Sequence, residues 1–185
     1  VFPCRADQSR GRSTNGGATW AVFQTPTPNA SNTTQTAYVN YVPKVQFSLA
    51  AGFYSGTQSV TLSCPQSNVT IRYTTNGAIP STTSTLYSGP ISITATTSLR
   101  ARAFDNNNQY AGSFTETNTY FINETHTLPV ISATSSNFTN LFSNGQDITG
   151  TMEFFSTAGQ QVFEIEGDFN KHGNDSWNKK KKGVD

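Results

Sequence analysis

The chain is 185 residues long, with a net charge of +1, 34% hydrophobic, 12% aromatic and 12% charged residues, which leaves room for one or two domains. So small a net charge gives no electrostatic reason to expect nucleic acid, and there is no run of about 18 apolar residues to span a membrane. The aromatic content supplies core material and argues against a disordered polyelectrolyte, while the many Thr, Ser and Asn residues suit a secreted β protein.

The N-terminal stretch, residues 1–23, ends in an Asn15-Gly16 turn and a short strand around Trp20. Residues 24–41 hold Pro26 and Pro28 among small polar residues and read as a semi-extended, exposed linker that lets its neighbours swing. Strands are expected near residues 44–48, 59–64, 70–75, 91–93, 98–104 and 115–122. In 70–75, Ile71, Tyr73 and Thr75 alternate with Arg72 and Thr74 before the Asn76-Gly77 dipeptide, which tolerates the positive φ of a hairpin turn. Pro80 then bars a direct return into the ladder. In 98–104, Leu99, Ala101 and Ala103 share one face, which predicts that Arg100 and Arg102 on the other face meet water. Residues 105–109 make a polar hairpin loop before the 115–122 strand. Beyond a joint at 124–127 and Pro129, a helical turn is expected at 137–141. A final hairpin turns at Ala158-Gly159, between strands at 152–155 and 161–165. The expected architecture is mainly β: an Ig/fibronectin III-like antiparallel β-sandwich at 42–122 with partial β or α+β units at 1–23 and 123–185.

The candidates for chemistry each have a plainer reading. Asp105, Asn107, Gln109, Ser113 and Glu116 fall at calcium-loop spacing, but Tyr110 stands where the loop's sharp turn demands Gly, so no metal site is expected. His126 is isolated beside the joint. His172, Asp175 and Ser176 lie close in sequence, yet a triad needs groups that converge in space with an oxyanion site, and a turn closed by short polar side chains is favoured. Lys179 to Lys182 read as a solvated end rather than a phosphate site. Cys4 and Cys64 fall in different units and read as two isolated buried thiols rather than a bridge or a metal knuckle. A sugar-binding face would need two or three coplanar rings beside polar side chains, and Tyr54 and Tyr110, next to Gly- or Asn-containing loops, are the best placed for it. The Asn-x-Ser/Thr tripeptides at Asn29, Asn32, Asn68, Asn123, Asn137 and Asn174 are read as composition.

Residues 73–104 carry the most specific pattern, YTTNG followed by a Pro-Ser/Thr loop, LYSGPI and ARAF. On Tyr73, Thr74, Thr75, Gly77, Pro80, Leu86, Tyr87, Gly89, Pro90, Ile91 and residues 101–104, the stretch from about 45 to 122 resembles the C-terminal β-sandwich domain of chitobiases and β-hexosaminidases. Asn76 stands where that family usually has an acidic residue. The resemblance implies an accessory module with no catalytic residue and no cofactor. Residues 11–32, with Gly11-Arg12, the Asn-Gly turn, Trp20 and a TPTPNASN exit, resemble the end of a bacterial lamin-tail-like domain. Leu128 to Ser132, Glu153-Phe154-Phe155 and the segment His172, Gly173, Asn174, Asp175, Ser176 and Trp177 resemble the opening of the CotH-like kinase family. That family's metal-binding and base carboxylates fall beyond Asp185, and the lysines ahead of Gly183 depart from its pattern.

These readings describe a non-catalytic structural or adhesive module of a longer multidomain bacterial protein, secreted or at the cell surface, with carbohydrate as a candidate ligand. Val1 is neither an initiating Met nor the start of a leader, so the start reads as processed or missing. The expected partners are other domains of the same chain and cell-surface proteins or glycans, with no nucleic acid and no membrane span. Two alternatives stand beside this reading: part of a CotH-like surface kinase, and a dedicated glycan-binding domain.

Overall fold

A computed structural model of the chain describes residues 4–5, 8–144 and 147–170. A hairpin of β1 (Ser9–Arg12) and β2 (Trp20–Phe23) leads to a 3-10 turn at Asn32–Thr34. Then come β3 (Gln46–Phe47), β4 (Gly52–Tyr54), β5 (Gln58–Val60), β6 (Leu62–Ser63), β7 (Val69–Thr74), β8 (Thr85–Leu86), β9 (Ile91–Ile93), β10 (Thr97–Asp105) and β11 (Glu116–Ile122). A last group holds β12 (Val130–Thr134), α1 (Phe138–Asn144), β13 (Ile148–Phe155) and β14 (Gln161–Phe169). The chain is mainly β, as its alternating patterns predict, and the middle of it forms an Ig-like β-sandwich.

The central sheet has the order β4-β11-β10-β7-β8. Opposite one face, β5 and β6 are separated only by Thr61 and pair with β9 and β3. Between these layers lies the core: Val42, Val45, Val60, Leu62 and Ile93 meet Leu99, Ala101, Ala103, Tyr120 and Ile122. Its period-two supply from β10 is the pattern read from the sequence. One pairing departs from the antiparallel expectation, because β4 runs parallel to β11 with Phe53 beside Phe121. The chain reaches β4 through 48–51 from the opposite layer, so it enters the sheet edge in the same direction as β11.

The other face of the central sheet is not solvent. The antiparallel sheet β12-β13-β14 lies on it, and Arg100, expected to meet water, is 0% exposed. Arg102 is half-buried. Its guanidinium donates to the Ser113 carbonyl at 2.9 Å and the Pro80 carbonyl at 3.2 Å, and burial lowers its pKa to about 10. Alternation identified which side chains leave the sandwich core, but a strand pattern carries no information about what packs against its second face.

The N-terminal segments are tied to the sandwich as well. Residues 24–37 are mostly exposed, but Val22 and Tyr38 exchange backbone hydrogen bonds at 2.8 and 3.0 Å, and the Val42 N–H donates to Ala111 at 2.8 Å. Tyr41 is buried with Val22 and Ala111, so the freedom expected of the linker ends at Tyr38. Four turns use Asn at positive φ, at Asn29, Asn68, Asn108 and Asn123, a conformation that Asn tolerates better than most side chains.

The outer sheet carries part of its apolar surface away from the sandwich. Ile131, Phe154 and Phe163 form one cross-strand row and Ala133, Met152 and Ile165 the next, with Ile131 62% and Ile165 56% exposed. Since these side chains face water, Phe163→Thr together with Ile165→Thr should change unfolding free energy by no more than about 0.5 kcal/mol each. The same change should sharply lower binding of the apolar dye ANS, read by its fluorescence.

Candidate functional site

Among the described residues, Arg100 and Glu153 are buried in the seam between the central sheet and β12-β13-β14. From β10, Arg100 donates to the Gly77 carbonyl at 2.7 Å, to the Thr151 hydroxyl at 3.0 Å and to the Thr117 hydroxyl at 3.4 Å. The Glu166 carboxylate lies 3.7 Å from its guanidinium. Burial lowers the Arg100 pKa, and Glu166, Glu164 and Glu153 oppose that shift.

From β13, Glu153 approaches the same sheet and is also 0% exposed. Its carboxylate accepts from the Thr119 N–H at 2.9 Å, from the Gln161 amide at 2.8 Å and from the Thr119 hydroxyl. Burial pushes its pKa up to about 7 against those donors, and Glu164 pushes in the same direction as burial. Hydroxyl pairs continue the seam, Thr134 to Ser98 at 2.8 Å and Thr119 with Ser132 at 2.8 Å.

One end of the seam is aromatic and the other ionic. Phe53 stacks on Phe121 at 4.3 Å, and Phe155 meets Phe121 edge-on at 5.2 Å. At the ionic end, Lys44 bridges Glu116 at 2.6 Å and Glu164 at 3.4 Å. Gly77 lets the chain after β7 come close: its φ is +80°, and a Cβ there would lie 2.6 Å from the Ser135 carbonyl oxygen.

The residues singled out from the sequence are distributed through this frame rather than gathered in one site. Tyr73 and Tyr87 pack partly buried against the sandwich core, and the Tyr87 N–H donates to Ile71 at 3.0 Å. Thr75 and Pro90 are exposed and Gly89 is partly so, while Pro80 is buried beneath Arg102. The family-motif residues among the described ones thus shape turns and packing. His172, Gly173, Asn174, Asp175, Ser176, Trp177 and the lysines from 179 to 182 lie outside the described residues.

Tyr54 and Tyr110 are not brought together. Tyr54 pairs with Ile122 beyond the Thr97 end of β10, whereas Tyr110 follows Asp105 at the other end. The eight steps of that strand, at about 3.3 Å each, separate the two ends by about 26 Å. Both rings pack partly against the core and remain partly exposed, and the two form no common platform.

The calcium-spaced loop is closed by its own acid. Asp105 accepts from the Gln109 N–H at 2.8 Å, the Tyr110 N–H at 3.0 Å and the Asn107 N–H at 3.3 Å. Desolvation pushes its pKa up, but these N–H groups prevail and hold it below the usual value. His126 lies 3.9 Å from the Phe53 ring, with Nδ1 3.0 Å from the Leu128 carbonyl. Among the described residues no three His, Cys, Asp or Glu side chains converge to hold a metal. Cys4 and Cys64 are free thiols, and the expectation that both are buried fails, because Cys4 is exposed and Cys64 only half-buried.

Arg100 and Glu153 are hydrogen-bonded across the seam and closed to solvent, and a general acid or base must be within reach of its substrate. This arrangement joins two layers. Turn residues at Gly77, Pro80 and Gly89 on a sandwich with this strand order are what a comparison of families tests. Residues 49–115 match the chitobiase/beta-hexosaminidase C-terminal domain. This is a carbohydrate-associated, non-catalytic module family. The chitobiase-type segment covers the sandwich from just before β4 to just before β11. No curated protein and no solved structure matches the chain.

The seam residues were not read from the sequence as functional. Glu153 between Met152 and Phe154 was the available signal, since an acid in an apolar strand needs a partner when buried. Arg100 looked like the polar half of an ordinary alternation.

Proposed function

We propose that the chain is a non-catalytic, rigid structural module of a secreted or cell-surface multidomain bacterial protein, which spaces and presents the units on either side of it. The observation that carries this reading is the seam, where Arg100 and Glu153 come from facing sheets, are both sealed from water, and are each bonded across the layer boundary. A swinging joint would have to uncover both charges, whereas a fixed joint keeps every bond. Buried ionic groups of this kind favour one orientation more than they favour stability. The match of residues 49–115 to a non-catalytic family supports the same reading. Spin labels at the exposed Thr57 and Thr157, in a chain with Cys4 and Cys64 replaced by Ser, should give one narrow distance distribution by electron–electron double resonance. A broad distribution would sink the rigid spacer.

A second reading, that β12 onward opens a CotH-like kinase domain, is favoured by the apolar outer face of that sheet. Side chains such as Ile131, Phe163 and Ile165 are those a strand presents to a core. ATP binding by the native polypeptide, measured calorimetrically, distinguishes the two.

A further inference from the structure

We propose that the groove running along the edge of the seam, from Lys44 at its ionic end to Phe53 at its aromatic end, binds a neutral oligosaccharide chain. Two hollows, of about 720 and about 450 Å³, share Ala50, Ala51 and Gln161 as lining and so form one continuous groove. Volumes of this size fall within the range of ligand sites, about 300–1,000 Å³.

The lining has the mixture that sugars require, apolar faces for C–H surfaces and fixed polar groups for hydroxyls. Phe47 lines one hollow and Tyr54 the other, with the small side chains of Ala50 and Ala51 between them. Two amides on the wall are held in place from behind. The Asn118 amide nitrogen donates to the Leu49 carbonyl at 3.2 Å, and that of Gln161 donates to Glu153 at 2.8 Å. Each amide plane is thereby fixed before a ligand arrives, and its carbonyl oxygen is an acceptor for a hydroxyl donor at no further ordering cost.

The charges argue against an anionic ligand. Lys44 lines the groove but is already held by Glu116 at 2.6 Å and Glu164 at 3.4 Å, so it offers an anionic polymer no free cation. An extended peptide is a poorer fit. Strand addition needs a long unpaired edge, and β3 and β4 offer two and three residues. This inference stands apart from the rigid-spacer reading, because a groove on a rigid or on a hinged joint would have the same lining.

Amide chemical shifts of the whole chain, followed by NMR while chitohexaose, cellohexaose or maltohexaose is added to millimolar concentration, test it. At least one of the three should move Gln46, Phe47, Asn118 and Gln161. Gln46→Ala, an exposed change at the groove, should then weaken that binding several-fold, while Tyr110→Ala at the far end of the sandwich leaves it unchanged. No shift with any of the three, shifts centred on Tyr110, or the same shifts with an unrelated Thr-rich peptide would each overturn the proposal.

Discussion

Arg100→Ala is expected to lower the unfolding free energy by about 3–5 kcal/mol, the usual cost of removing one partner from a buried ionic arrangement. The variant would leave the Gly77 carbonyl and the Thr151 hydroxyl without their shared donor in a space closed to water, and would remove the charge that faces Glu166. Equilibrium urea unfolding, followed by tryptophan and far-ultraviolet signals, measures the change. Arg100→Met retains much of the volume but donates nothing, so it should cost less than Ala through packing yet still leave those acceptors unpaired. A loss below about 0.5 kcal/mol for Arg100→Ala would mean that the outer sheet does not seal this face in solution.

Raising the pH from 5 to 8 should weaken the seam, with Glu153 as the principal cause. Its pKa stands at about 7 in the folded chain against an ordinary 4.5, so folding favours the protonated form. The stabilisation is fully present below about pH 4.5 and is lost as the pH rises through 7, a change on the order of 2–3 kcal/mol. The groups facing this carboxylate are the Thr119 N–H and the Gln161 amide at one oxygen, the Thr119 hydroxyl, itself paired with Ser132, at the other, and Glu164 directly across the strand pair. Glu164 shifts in the same direction, because its burial raises its pKa against the pull of Lys44, so the two acids act together. Glu153→Gln should flatten the stability profile between pH 5 and 8. A wild-type profile that rises with pH across this window would reverse the assignment and make the ionised carboxylate, held by three donors, the stabilising form.

Both predictions concern residues whose importance the sequence left hidden, and the reason is the same for each. Strand alternation tells which side chains share a face, and for β10 it assigned Leu99, Ala101 and Ala103 correctly to the sandwich core. It was equally right that Arg100 leaves that core. What it lacked was the third layer, because the contact between Arg100 and Thr151 joins residues 51 positions apart. The helical turn before β13 and the Ala158-Gly159 hairpin were also legible, since both depend on residues within a few positions of one another. The positions of Tyr54 and Tyr110 relative to one another were not legible: each lies beside a loop, but whether two rings share a platform depends on strand order and length.

What the sequence determined by itself is therefore local: strand periodicity, the Asn and Gly turns, Pro80 outside the ladder, and the specific spacing of residues 49–115 that matches a chitobiase-type module. Tertiary structure alone decided that a second sheet covers the arginine face, that Glu153 is buried and titrates near neutrality, and that Phe47, Asn118 and Gln161 line one groove. The division follows from range. Turn and strand preferences act over a few residues, whereas burial and electrostatic environment are set by segments that meet only after the chain has folded.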